Sequence, residues 1–140
     1  MTWSEPEAYV IHRIGVVRSS LVDRRAAPPQ GGEGAPDAVI EVMPSVAEAL
    51  QGLAVGDEIL VLTWLHQADR EVLEVHPRDD MNRPLTGVFA TRSSDRPNPI
   101  GLHRVTVLDV DGLELKVGPL EAIDGTPVVD IKPVIRPRHS

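Results

Sequence analysis

The stretch VTVLDVDGLELKV, Val105–Val117, decides the fold class. Val105–Val110 and Leu113–Val117 are short, apolar, β-branched runs, and the Asp111-Gly112 pair between them is a hairpin signal. Similar runs recur outward in both directions. They are Tyr9–Val17 (where Gly15 breaks any helical periodicity), Ala38–Val42, Glu58–Leu65, Val72–His76, Val88–Thr91 and Val128–Ile131. One short helix is expected. Ser45 can cap its start, Glu48 completes a capping box before Ala49 and Leu50, and Gly52 can end it. Proline occupies 13 of 140 positions, nearly twice the usual share of about 5%, which a helix-rich fold tolerates badly. The reading is all-β: a small antiparallel barrel or sandwich with one short helix and long loops. No repeat or linker divides the chain, so residues 1–140 read as a single domain with a short basic tail from about residue 134.

Composition excludes several function classes. The chain has 140 residues, enough for one domain with its own core. It lacks cysteine, which rules out disulfides and thiolate metal sites and fits a reducing cytoplasm. No apolar run approaches the ~20 residues of a membrane-spanning helix. The N-terminal MTWSEPEAYVIHR has no basic stretch ahead of an apolar one. A cytoplasmic location without a membrane partner is expected. The 14 cations and 21 acids leave a net charge of −7, which argues against a broadly basic nucleic-acid binder. Trp3, Tyr9, Trp64 and Phe89 are too few rings for a base-stacking platform. The charge is uneven, however. Arg92, Arg96 and Arg104 are close in sequence, and Lys132, Arg136 and Arg138 form an acid-free tail. These stretches offer local basic surface, or are simply solvated.

Two irregular segments interrupt the rhythm of strands. Arg18–Asp37 contains Pro28, Pro29 and Pro36 with Gly31, Gly32 and Gly34, and a loop that long is functional or disordered. Thr91–Gly101, TRSSDRPNPIG, is stiffened by Pro97 and Pro99. Such a loop can hold polar side chains still, although an ordinary Pro-rich turn would look the same. Dinucleotide, P-loop, zinc-protease, deaminase and serine-nucleophile motifs are all missing. The histidines lack close ligand spacing, so no metal is expected. His66-Gln67 closes the most apolar run, ILVLTWL. An imidazole and an amide there can fix a ligand or merely cap the strand. Asp124-Gly125-Thr126-Pro127 combines turn chemistry with a carboxylate. Asp130 and Lys132 fall on one face of a strand, where an ion pair is the plain reading.

Two of these segments also carry a family resemblance. GVFATRSSDRPNPIG (Gly87–Gly101) and DGTPVVDIKP (Asp124–Pro133) resemble the signature segments of the TrmO family, also called TsaA-like. The Ile14, Gly15, Val17, Ser19 start and the Trp64, His66, Gln67 element are similar too, so the resemblance runs from about Ile11 to Val134. It implies a small antiparallel β-barrel that binds S-adenosylmethionine and pairs as a homodimer. For characterised members it implies N6-methylation of the threonylcarbamoyladenosine beside a tRNA anticodon. Carried over residue by residue, cofactor contacts fall on Gln30, Gly31 and Gly32, on His66 and Gln67, on Arg92 and on Leu102. The segment Leu120, Glu121, Ala122, Ile123 is expected to line the adenosyl group with its backbone. The chain departs from the family pattern at Val134 for a tyrosine, His76-Pro77 for a Pro-Pro, and His103 where serine is frequent. It also stops soon after the barrel, whereas larger tRNA-modifying members carry a further C-terminal domain.

Methyl transfer from a sulfonium needs donor and acceptor held about 3 Å apart and in line, not a covalent nucleophile. A carbamoylated N6 is a poor nucleophile, so an acceptor for its proton would help, and Asp124 and Asp130 are the candidate catalytic residues. Arg92 suits a carboxylate or the adenosyl end of the cofactor. Arg96, Asn98 and Lys132 are the expected substrate contacts, phosphate among them. Three functions fit: a tRNA methyltransferase, a methyltransferase for a smaller substrate, and a non-catalytic dimeric module that binds S-adenosylmethionine. Salt-dependent tRNA affinity, turnover without RNA, and binding without turnover tell them apart.

Overall fold

The strand-forming runs close on themselves. The computed structural model describes residues 7–22 and 34–135. Its strands are β1 (Gly15–Arg18), β2 (Ala38–Val42), β3 (Glu58–Trp64), β4 (Glu74–Val75), β5 (Thr86–Gly87), β6 (Ile100–Asp111), β7 (Glu114–Gly118) and β8 (Pro127–Pro133). Six of them form a closed barrel in the order β1-β2-β7-β6-β3-β8, and β4 pairs with β5 apart from it. Every neighbouring pair is antiparallel. Closure leaves these strands no open edge. Alternation puts Ile59, Val61 and Thr63 of β3 inside, facing Val105 and Val107 of β6. Ile40, Leu115, Val117 and Val128 complete a wholly buried centre. Register shifts at Leu62/Thr63 and Val107/Asp109 bend the wall where strands change partners.

The hairpin forms where the sequence places it, with one refinement. Asp111 still pairs with Glu114, so the loop is Gly112-Leu113, and Gly112 takes the positive φ of 59°. Other expectations are corrected. The first strand starts at Gly15, and Tyr9 and Val10 are exposed. Val88–Thr91 is not a strand: Val88–Ala90 is a 3-10 turn that buries only Val88. β6 begins at Ile100, because Ile100 and Gly101 pair with Trp64 and Thr63. The helix is the 3-10 segment Pro44–Leu50 rather than a boxed helix starting after Ser45. Pro44, with its fixed φ, opens the turn ahead of Ser45, and the cap residue Met43 makes no side-chain bond. Val46 and Leu50 pack on the core.

The topology sorts the loops between two ends. One end collects the last residues of β1, β3 and β7 and the first residues of β2, β6 and β8. His66-Gln67, the 91–99 loop, Leu120–Ile123 and Asp124 are all attached there.

Candidate active site at one end of the barrel

β3 delivers its chain directly into an exposed turn holding His66 and Gln67, closed by Ala68 N–H on Leu65 O at 2.9 Å. The Pro-rich loop 91–99 is fastened to this turn. Leu65 N–H donates to Pro99 O at 2.8 Å, and Asp69 N–H donates to Asp95 Oδ1 at 2.8 Å. Arg70 supplies the rest: Nε donates to Pro97 O at 2.7 Å and Nη2 to Asn98 Oδ1 at 3.0 Å. Its guanidinium also sits 5.1 Å from the Trp64 ring centroid, within cation–π range. Sequence reasoning missed Arg70. Its partners lie 27 and 28 positions away, and no local pattern announces them.

The loop's own arginines have different jobs. Arg96 donates from Nε to Ser93 O at 2.8 Å and from Nη2 to Val88 O at 2.5 Å and Thr91 O at 2.6 Å. It therefore staples the turn that precedes it. Asn98 has its carbonyl oxygen taken up by Arg70. Arg92 is exposed and makes no hydrogen bond or ion pair among the described residues. Leu102 lies on the outer face of β6, 44% exposed, opposite Leu62.

Leu120–Ile123 leaves the end of β7 and is pinned by Leu120 N–H on Pro36 O at 2.9 Å. Leu120, Ala122 and Ile123 are buried. The Glu121 carboxylate turns inward and accepts from His103 Nδ1. His103 Nε2 in turn hydrogen-bonds Thr63 Oγ1 at 2.7 Å. This carboxylate–imidazole–hydroxyl chain is buried inside the barrel end, and the sequence showed only that His103 departs from the family pattern.

Asp124 fastens the neighbouring turn to the segment just after β1. Its Oδ1 accepts Ser19 N–H at 3.0 Å, and its own N–H donates to Leu21 O at 2.6 Å. Asp130 is not brought to this group. It lies on the outer wall, accepts Ile131 N–H at 2.9 Å and pairs with Lys132 Nζ at 3.1 Å. Lys132 stands opposite Leu60, three positions along β3 from Thr63 and towards the other end. Both side chains are about half exposed, so the pair contributes little to stability. Gln30, Gly31 and Gly32 lie outside the described residues. No helix among the described residues is long and apolar enough to cross a membrane, and none of their His, Asp and Glu groupings could hold a metal ion.

The chain is similar to known proteins in sequence and in fold. The family model for the tRNA-methyltransferase O N-terminal domain matches residues 16–138. A protein of Methanothermobacter thermautotrophicus named as a probable S-adenosyl-L-methionine-binding protein is 46% identical over 123 residues, 88% of either chain. The tRNA (adenine(37)-N6)-methyltransferase of Escherichia coli is 36% identical over 137 residues, covering 91% of this chain and 58% of that one. The crystal structure of TrmO from Pseudomonas aeruginosa superposes with a TM-score of 0.70 at 29% identity, covering 92% of this chain and 57% of that one. The chain thus spans little more than half the length of those last two. With the family model matched from the first barrel strand past the last, this chain belongs to the TrmO family through its N-terminal domain.

Proposed function

We propose that the chain is an S-adenosylmethionine-dependent methyltransferase, a single TrmO-type domain working as a homodimer, that methylates N6 of threonylcarbamoyladenosine beside a tRNA anticodon. One observation carries the reading. The segments that the family resemblance assigns to the cofactor are tied to a single barrel end, the His66-Gln67 turn and the Arg92 loop by direct hydrogen bonds and Leu120–Ile123 through His103. The donor set suits the cofactor. Arg92 has no partner among the described residues and matches a carboxylate, His66 and Gln67 offer an imidazole and an amide, and Leu120, Ala122 and Ile123 give an apolar backing. Gln30, Gly31, Gly32 and Leu102 are assigned to the same ligand on the family resemblance.

S-adenosylmethionine, when bound, supplies a methyl group on a sulfonium. The chain's task is alignment and exclusion of water. Asp124 keeps a carboxylate oxygen beyond its bond to Ser19, an acceptor for the proton that leaves N6. Asn98, whose amide nitrogen is not used in its bond to Arg70, and Arg96, whose Nη1 is not used in its bonds to three carbonyls, are the residues assigned to contact the nucleotide. Asp130 and Lys132 are given no part in the transfer, since they sit on the outer wall.

The decisive test is methyl transfer to purified tRNA with and without the threonylcarbamoyl group. Transfer to the modified tRNA alone is expected. Equal rates on both, or turnover of a small molecule with neither tRNA methylated, overturns the tRNA reading. Binding of S-adenosylmethionine without turnover of anything leaves a non-catalytic module. A smaller substrate is the second reading, and one observation favours it. Arg96, Arg104 and Lys132 are all engaged inside the chain, which leaves less cationic surface for phosphates than the sequence suggests.

A further inference from the structure

Carboxylate, imidazole and hydroxyl stand in the order Glu121–His103–Thr63, the order of a hydrolase triad. Thr63 is 0% exposed, however, and a nucleophile must be reached by its substrate. The network needs another purpose, because a buried polar chain in the wall of an otherwise apolar barrel is costly unless fully satisfied. Its members come from three different elements. Thr63 is the last inward residue of β3, His103 the second inward residue of β6, and Glu121 belongs to the irregular segment after β7. Gly101 makes room for it, since a Cβ there would collide with Thr63 Oγ1 and lie 2.7 Å from His103 Nε2.

We propose that His103 is a positioning residue for the cofactor segment: it holds Glu121, and with it the Leu120–Ile123 backbone, against the β3–β6 end that carries His66 and Gln67. This rests on the assignment of Leu120–Ile123 to S-adenosylmethionine. Leu120 and Ala122 face the core on either side, so the backbone at Glu121 has two buried anchors and one polar one. Backbone groups are bonded at the two ends of the segment, Leu120 N–H on Pro36 O and Ile123 O to Thr126 Oγ1, and the Glu121–His103 bond is the oriented contact between them. β7 ends at Gly118, and beyond it no ladder bond locks the segment's turn about its own axis.

The two ring nitrogens allow the idea to be tested by splitting them. An asparagine at 103 places its amide nitrogen near the Nδ1 position and can still donate to Glu121. A glutamine reaches instead toward the Nε2 position and Thr63. Binding of S-adenosylmethionine is measured by calorimetry on the whole chain, beside the thermal midpoint of each variant. His103→Gln is expected to weaken binding about tenfold or more, the scale of one lost hydrogen bond to a charged group. His103→Asn is expected to rescue most of that loss even if both variants melt at the same lowered temperature. A core-filling histidine would give equal affinities. Should either variant fail to fold, Glu121→Leu and Thr63→Ser replace them, with loss expected for the first and not for the second. Wild-type binding that both members of a pair retain, or lose equally, overturns the role of His103. Wild type that binds no S-adenosylmethionine overturns the cofactor reading, and the positioning role falls with it.

Discussion

A Cβ built onto Gly101 meets two side chains that cannot easily move aside, since Thr63 and His103 are both buried and bonded to each other. Gly101→Ala is therefore an overpacking change, expected to cost about 1–3 kcal/mol. It should lower the urea midpoint with an unchanged slope, and an unmoved midpoint would show that the niche has spare room. The two arginines of the 91–99 loop make a sharper pair. Arg92 is exposed and makes no hydrogen bond or ion pair among the described residues, so Arg92→Ala should leave the melting temperature alone and weaken S-adenosylmethionine binding by about 1.5–3 kcal/mol, the range for a charged hydrogen bond. Arg96→Ala removes the partner of three carbonyls and should act first on stability, by about 1–3 kcal/mol. Ligand titration and melting curves on both variants check the contrast. An Arg92→Ala protein with wild-type affinity would remove that residue from the cofactor site.

Among the elements, the 91–99 loop depends on Arg70, a side chain from another turn. Arg70→Ala should speed hydrogen exchange at the Asp69 amide, whose acceptor Asp95 sits in the released loop, while core amides of β3 stay protected. Unchanged exchange at Asp69 would mean that the backbone bond from Leu65 to Pro99 suffices. What the sequence made legible follows the same division between local and distant partners. The strand runs and the Gly112 hairpin are written in alternation and turn chemistry, which are local. Val88–Thr91 misled because an apolar run does not say whether a strand lies beside it, and Phe89 there is 86% exposed. The Ser45–Glu48 box was overridden by its immediate neighbour, Pro44. At the candidate site, His66-Gln67 was legible as a polar pair closing an apolar run and Leu120–Ile123 through the family resemblance, and the barrel places both at one end. The staple role of Arg96 and the bond from His103 to Glu121, 18 positions apart, depend on partners that no periodicity reveals.

For the whole molecule, the outer wall is not uniform. β7 presents Glu114 and Lys116 to solvent, as a barrel exterior should. Along the last part of β3 and the start of β6 the outward residues are Leu62, Trp64, Ile100 and Leu102, with Leu62 opposite Leu102 and Trp64 opposite Ile100. Ile100 and Leu102 are each 44% exposed, so the strip is apolar surface that a partner would cover. A second copy of the chain is the occupant that fits the homodimer proposed above, since a two-fold axis through the strip would bury the same residues from both sides. It would also set the two barrel ends beside each other, because the strip runs directly into the His66-Gln67 turn and the 91–99 loop. Light scattering at micromolar concentration should then give about twice the 15.2 kDa of one chain. Leu62→Lys with Ile100→Lys should return it to 15.2 kDa without unfolding the barrel, because both side chains point away from the core. Affinity for S-adenosylmethionine should fall in the same variant if the partner's copy of the loop helps enclose the site. A wild type that scatters as one chain would reject the dimer, and a double variant that stays paired would move the interface to another wall.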